Sequence, residues 1–155
     1  MKHLLSYNES LRDKMTGKSR DEIMKGIINL SPDRMLIKSI DYNFFDGVKL
    51  SVDNGADIHT SNNYAIEISS TRGQYNIVKY LLDKGADIHV DNDAPLRMAS
   101  KNGHIDTVKL LLDYGADIQD YGNSALHNAK RNGHTDVVEL LKQHTKTHKS
   151  SRDEN

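Results

Sequence analysis

Eight histidines and twenty-two carboxylates are the side chains through which this 155-residue chain could do chemistry, and it has no cysteine. Catalysis would show as a nucleophile with a base and an orienting acid, or as paired carboxylates facing one pocket, and neither pattern is found. Asp57, Asp87 and Asp117 recur at a step of thirty residues, and a residue that repeats with the chain's own period serves the fold. Gly17-Lys18-Ser19 has the ending of a phosphate loop, but Arg12 stands where the first glycine belongs and no apolar strand precedes it. The missing cysteine removes thiolate ligands, disulfides and cysteine nucleophiles together.

The histidines divide by position. His59 and His89 lie in equivalent loops one repeat apart, too far to share an ion without a third ligand. His104 and His134 each follow a glycine at a turn, where a ring packs and hydrogen-bonds to backbone. His144 and His148 have the i, i+4 spacing, but the second falls in a polar tail. The chain is therefore expected to hold no metal and no cofactor, to have no catalytic residue and to be no enzyme.

What positions these residues is a repeat. Gly55-Ala56-Asp57-Ile58 returns as Gly85-Ala86-Asp87-Ile88 and as Gly115-Ala116-Asp117-Ile118. In the same register stand Asp33, Asn63, Asp93 and Asn123, short polar residues suited to a helix N-cap or the turn before it. Leu36, Ile66, Leu96 and Leu126 follow three positions on, then Ser39, Ser69, Ala99 and Ala129, one large and one small residue on one face of a short helix of about eight residues. Asn43, Gly73, Gly103 and Gly133 close it. A second helix follows, with Asp46, Asn76, Asp106 and Asp136 in its first turn and an apolar stripe of Val48, Val78, Val108 and Val138 continued by Leu81, Leu111 and Leu141. Each unit thus reads as helix, turn, helix, short loop.

Only two phenylalanines and no tryptophan stock the core, which suits a stack in which each unit buries its apolar face against its neighbours. A net charge of -1 supplies no basic field for nucleic acid and little attraction to a membrane surface. No segment approaches the roughly 18 apolar residues of a membrane span, and the first residues lack a signal peptide's apolar run, so an intracellular, cytoplasmic protein is expected. Before the repeats, Ser6 with Glu9 and Ser19 with Glu22 have capping-box spacing and predict helices over about Tyr7 to Met15 and Arg20 to Leu30. At the far end Lys142 replaces Leu112 and Thr145 replaces the terminating glycine, which closes the array near His144.

This grammar resembles the ankyrin repeat over about Asp33 to His144. The residues that carry the resemblance best are Ala94-Pro95-Leu96-Arg97-Met98-Ala99, Asn102-Gly103-His104, Val108, Leu111-Leu112 and Gly115-Ala116-Asp117; Ser124-Ala125-Leu126-His127-Asn128-Ala129 with Asn132-Gly133-His134 is close behind. Ankyrin units usually run to about 33 residues. The three missing here shorten the loop between units, a form that looks like the ankyrin arrays of giant viruses of amoebae, whose proteins would work in the host cell cytoplasm. Where the family often has Thr this chain has Arg34, Tyr64, Ala94 and Ser124, and where it has His in the first helix this chain has Ile37, Glu67, Arg97 and His127.

The resemblance implies an all-α solenoid. Residues 1-31 would form an N-terminal helical cap, 32-144 the array (33-54 divergent, then 55-84, 85-114 and 115-144), and 145-155 a disordered polar tail. It also implies a concave docking surface, with a partner protein bound by a monomer. Candidate contacts are positions that differ between units while their neighbours match: in the loops His59, Ser61, Asn62, His89, Val90, Asp91, Gln119, Asp120 and Tyr121, and on the first helices Ile68, Thr71, Met98, Lys101, Asn128 and Arg131. Equal register is expected to bring Glu67 and Arg97 together. The alternative is a spacer array whose N-terminal helices do the recruiting.

Overall fold

The computed structural model describes residues 19–150. Every regular element among them is a helix, and the chain divides into two compact units after Asp57.

The first unit holds α1 (Arg20–Ile27), α2 (Pro32–Asp41) and α3 (Phe45–Asp53). Ser19 caps α1 as its spacing to Glu22 requires. The Ser19 N–H donates to Glu22 Oε2 at 2.7 Å, and the Glu22 N–H donates to Ser19 Oγ at 3.3 Å. Ile23 and Ile27 are buried with Met35 and Phe44, while Arg20 lies over the Phe44 ring and pairs with Asp46. The helix stops a turn short of the expected Leu30. Pro32 opens α2 at a position where its missing N–H costs nothing, so the chain must turn before it. The expected helix over Tyr7 to Met15, with its Ser6–Glu9 box, lies outside the described residues.

The second unit holds α4 (Thr60–Thr71), α5 (Tyr75–Asp83), α6 (Val90–Lys101), α7 (Ile105–Asp113), α8 (Asp120–Arg131) and α9 (Thr135–Ser150). They pack as two rows, with α6 between α4 and α8 and α7 between α5 and α9. The period puts the same residues between the rows in successive units. Ile66, Leu96, Ser69 and Ala99 from the first row and Val78, Val108, Leu81 and Leu111 from the second are fully buried. The small residue three positions after each large one is what lets neighbouring helices approach.

Both helices of a unit end alike. The Ala86 N–H reaches back to the Leu81 carbonyl and the Gly85 N–H to that of Leu82, each at 2.9 Å, around a φ of 91° at Gly85. This is the left-handed glycine cap, and it recurs after the first helices, where the His104 N–H meets Ala99 and the His134 N–H meets Ala129.

The helix starts take the second of the two forms expected of their short polar residues. Ser61, Asn62 and Asn63, and again Asp91, Asn92 and Asp93, all have positive φ, between 47° and 60°, and Gly122 and Asn123 follow suit at 66° and 61°. Of the two roles expected for Asn63 and Asp93, N-cap or the turn before it, they take the turn: each closes a left-handed turn, and the right-handed helices begin one residue later, at Tyr64 and Ala94. Ser, Asn, Asp and Gly fill these positions because their small or locally hydrogen-bonding side chains tolerate that backbone. Asp33 and Asp93 also serve a neighbouring loop, since their Oδ1 atoms accept the N–H groups of Asp57 at 2.8 Å and Asp117 at 3.0 Å.

The tail also departs from expectation. α9 runs on to Ser150, so residues 145 to 150 are helical, not disordered. Thr145, thirty residues after Gly115, cannot take the left-handed cap cheaply. Its hydroxyl donates instead to the Leu141 carbonyl at 2.8 Å, and the helix continues.

Candidate interaction surface

The first-helix row presents side chains at three repeating positions: Glu67, Arg97, His127; Ile68, Met98, Asn128; and Thr71, Lys101, Arg131. The core-facing neighbours of these residues hold the helices in register, so the positions are free to differ. Met98, Lys101, Asn128 and Arg131, from α6 and α8, line one open groove of about 330 Å³ together with Arg97, Ser124 and Asn132. Three of its seven lining residues are cationic and none is a carboxylate. Lys101 and Arg131 are exposed, and Met98 and Asn128 are half-buried.

Arg97 does not pair with Glu67. Its Nε donates to the Asn92 carbonyl at 3.0 Å and its Nη2 to the Asp91 carbonyl at 2.7 Å, which braces the left-handed turn ahead of its own helix. Ile68 and Thr71 occupy the same face on α4. The Thr71 carbonyl accepts from Asn102 Nδ2 and from His104 Nε2, both at 3.0 Å.

The loop candidates scatter. Asn62 Nδ2 donates to Asp91 Oδ2 at 3.1 Å, which brings two successive loop tips together. Ser61, His59, His89 and Gln119 are exposed. His59 Nδ1 meets Asn63 Oδ1 at 2.7 Å, and His89 Nδ1 meets Asp93 Oδ1 at 3.2 Å. Val90 is a correction: only 5% exposed, it belongs to the core, because the tight turn after it folds its side chain inward. The side chains of Asp120 and Tyr121 lie outside the described residues.

Asp87 and Asp117 accept the N–H groups of His89 at 2.9 Å and Gln119 at 2.8 Å, a turn-forming role that accounts for their recurrence. His134 Nε2 lies 2.9 Å from the Lys101 carbonyl. A carbonyl only accepts, so this nitrogen carries the proton, and the ring ties one repeat to the next.

Sequence reasoning missed Arg97, Ser124 and Asn132 as groove residues, since Ser124 and Asn132 hold cap and turn positions and Arg97 reads as facing Glu67. It also missed a cluster on the second row. Lys79 Nζ lies 2.8 Å from Asp83 Oδ2 and 3.4 Å from Tyr114 Oη, and the Tyr114 hydroxyl donates to Asp83. The i, i+4 spacing of Lys79 and Asp83 was the available signal. A second open groove, about 340 Å³, lies on this row between Tyr75, Asp106, Lys109, Leu110 and Asp113.

Paired helices stacked in two rows with one variable face define a helical repeat array. A family model described as Ankyrin repeats (3 copies) matches residues 89–153, and one described as Ankyrin repeat matches residues 62–93. Between them they span more than half of the chain, which belongs to the ankyrin-repeat family. Ankyrin repeats generally mediate protein–protein interactions, and proteins built from them are typically non-catalytic scaffolds. No curated protein matches the chain. Among the described residues no helix is long and apolar enough to cross a membrane.

Proposed function

We propose that the chain is a non-catalytic scaffold, acting as a monomer, that captures a partner protein through the concave side of its first-helix row. One observation carries the reading: Met98, Lys101, Asn128 and Arg131, chosen because they vary between otherwise matching units, line a single groove. A half-buried thioether beside long cationic and amide side chains is the mixture of adaptable apolar contact and polar surround on which protein partners dock. The shortened loops resemble those of the short-repeat arrays of giant amoebal viruses, and this resemblance is what supports the reading that the chain works in host cytoplasm. Capture from native-cell extract tests the docking face. Met98→Ala with Arg131→Ala should weaken capture by about 1–2 kcal/mol or more while the helical circular dichroism stays unchanged. Undiminished capture by this variant would remove the groove from the account.

A further inference from the structure

We propose that the first-helix row reads an extended acidic segment of its partner in one orientation, with carboxylates over α6 and α8 and an apolar side chain over α4. The inference rests on the docking face just described and adds the chemistry of what docks there. Read across the row, the surface changes character. α4 offers Tyr64, 39% exposed, and half-buried Ile68, with Glu67 as the charged residue at the position that is Arg97 on α6 and His127 on α8. α6 and α8 offer Arg97, Lys101 and Arg131 around Met98, with no carboxylate in the groove they line.

A carboxylate is therefore attracted at the α6–α8 end and repelled by Glu67 at the other, where the aromatic and aliphatic surface favours an apolar side chain. The chain's net charge of -1 gives no long-range field, and at physiological salt charges are screened over about 8 Å, so the attraction is confined to the groove. A long phosphate backbone draws its affinity from many contacts along its length, and two helices cannot supply them. Spacing follows as well. Packed helices lie about 8–10 Å apart and an extended strand advances about 3.3 Å per residue, so each helix step takes about three residues. The segment should carry an apolar residue with acidic residues about three and about six positions away.

The test is a random dodecapeptide library displayed on phage and selected against the full chain, followed by binding of the synthetic consensus peptide. Selected peptides should share the apolar-then-acidic spacing. Affinity should fall about tenfold or more in Lys101→Glu with Arg131→Glu. It should change less than about twofold in Lys142→Glu with Lys146→Glu, the same charge change placed on exposed positions of α9. Thermal melts of both variants separate binding from folding. Peptides without acidic enrichment, bound more weakly by Met98→Ala, would overturn the acidic reading and leave the docking face standing. Displacement of the peptide by a dodecathymidylate at equal concentration would overturn it in favour of a general polyanion site. Selection of no peptide would overturn both.

Discussion

Gly103 has a φ of 75°, and a Cβ built on it would stand 2.5 Å from Nδ1 of His134. Gly115 is as strained, at 98°, but opens onto free space. Substitution by alanine should therefore cost about 1–2 kcal/mol at Gly115, from backbone conformation alone, and more at Gly103, where the ring that ties two repeats together must also move. Urea unfolding of the two variants gives the comparison; equal costs would mean that the His134 contact contributes nothing. Tyr114 allows a test by pH. Hydrogen bonds from Lys79, then from Tyr114, hold Asp83 below the usual carboxylate range, while bonding to Asp83 raises both Lys79 and Tyr114. The depressed Asp83 contributes stability above its unfolded value and loses it as pH falls through the folded one. The raised Lys79 and Tyr114 contribute below their unfolded values and lose it in alkali. The small advantage of the native protein over Tyr114→Phe in thermal melts should thus be present near neutrality, fade as pH falls below the ordinary carboxylate range, and fade again as pH rises above the ordinary tyrosine and lysine range. A pH-independent difference would show that the cluster does not form. Of these residues the glycines and His134 were legible in the sequence because they repeat. Tyr114 was not, because its partners sit on another helix and its slot holds Lys84 one unit earlier.

Inside the array, helix ends closed by a glycine are legible nearly to the residue, since apolar period and glycine position both mark them, whereas the ends without one, at Ile27 and Ser150, are not. Nor are the helix starts. Asn63, Asp93 and Asn123 suit an N-cap and a left-handed turn equally well as residue types, and the run of three positive φ values is set by how sharply the short loop must reverse. The structure predicts a difference that propensity for caps would not. Asn92, at φ 57° and exposed, should tolerate Gly with little change, whereas Ala should cost about 1 kcal/mol. Thermal denaturation distinguishes them, and equal stability of the two variants would argue against the left-handed turn. The same limit explains Val90. Its position differs between units while its neighbours match, so it reads as a candidate contact, and only the turn geometry reveals that it packs inward.

At the scale of the array, stability should be a sum of units and the interfaces between them. α6 and α7 have a neighbour on both sides, whereas α9 shows Lys142 where Leu112 is buried one unit earlier. Hydrogen exchange should accordingly be slowest in α6 and α7 and progressively faster along α9 toward Ser150. Leu111→Ala, at a fully buried position inside that central pair, should cost about 2–5 kcal/mol and accelerate exchange in α5 and α9 as well as locally. The stacking order was legible because the period is regular. Which variable positions converge was not, since register alone cannot say that Met98 and Arg131 share a groove while Asn62 and Asp91 bond to each other. The docking face is tested most directly by amide hydrogen exchange of the full chain with and without its captured partner. Slowed exchange along α4, α6 and α8, strongest between Arg97 and Lys101 and between Asn128 and Asn132, is the expected footprint. Protection centred on Tyr75, Asp106, Lys109 and Asp113 of the second row, or on α1, would contradict it.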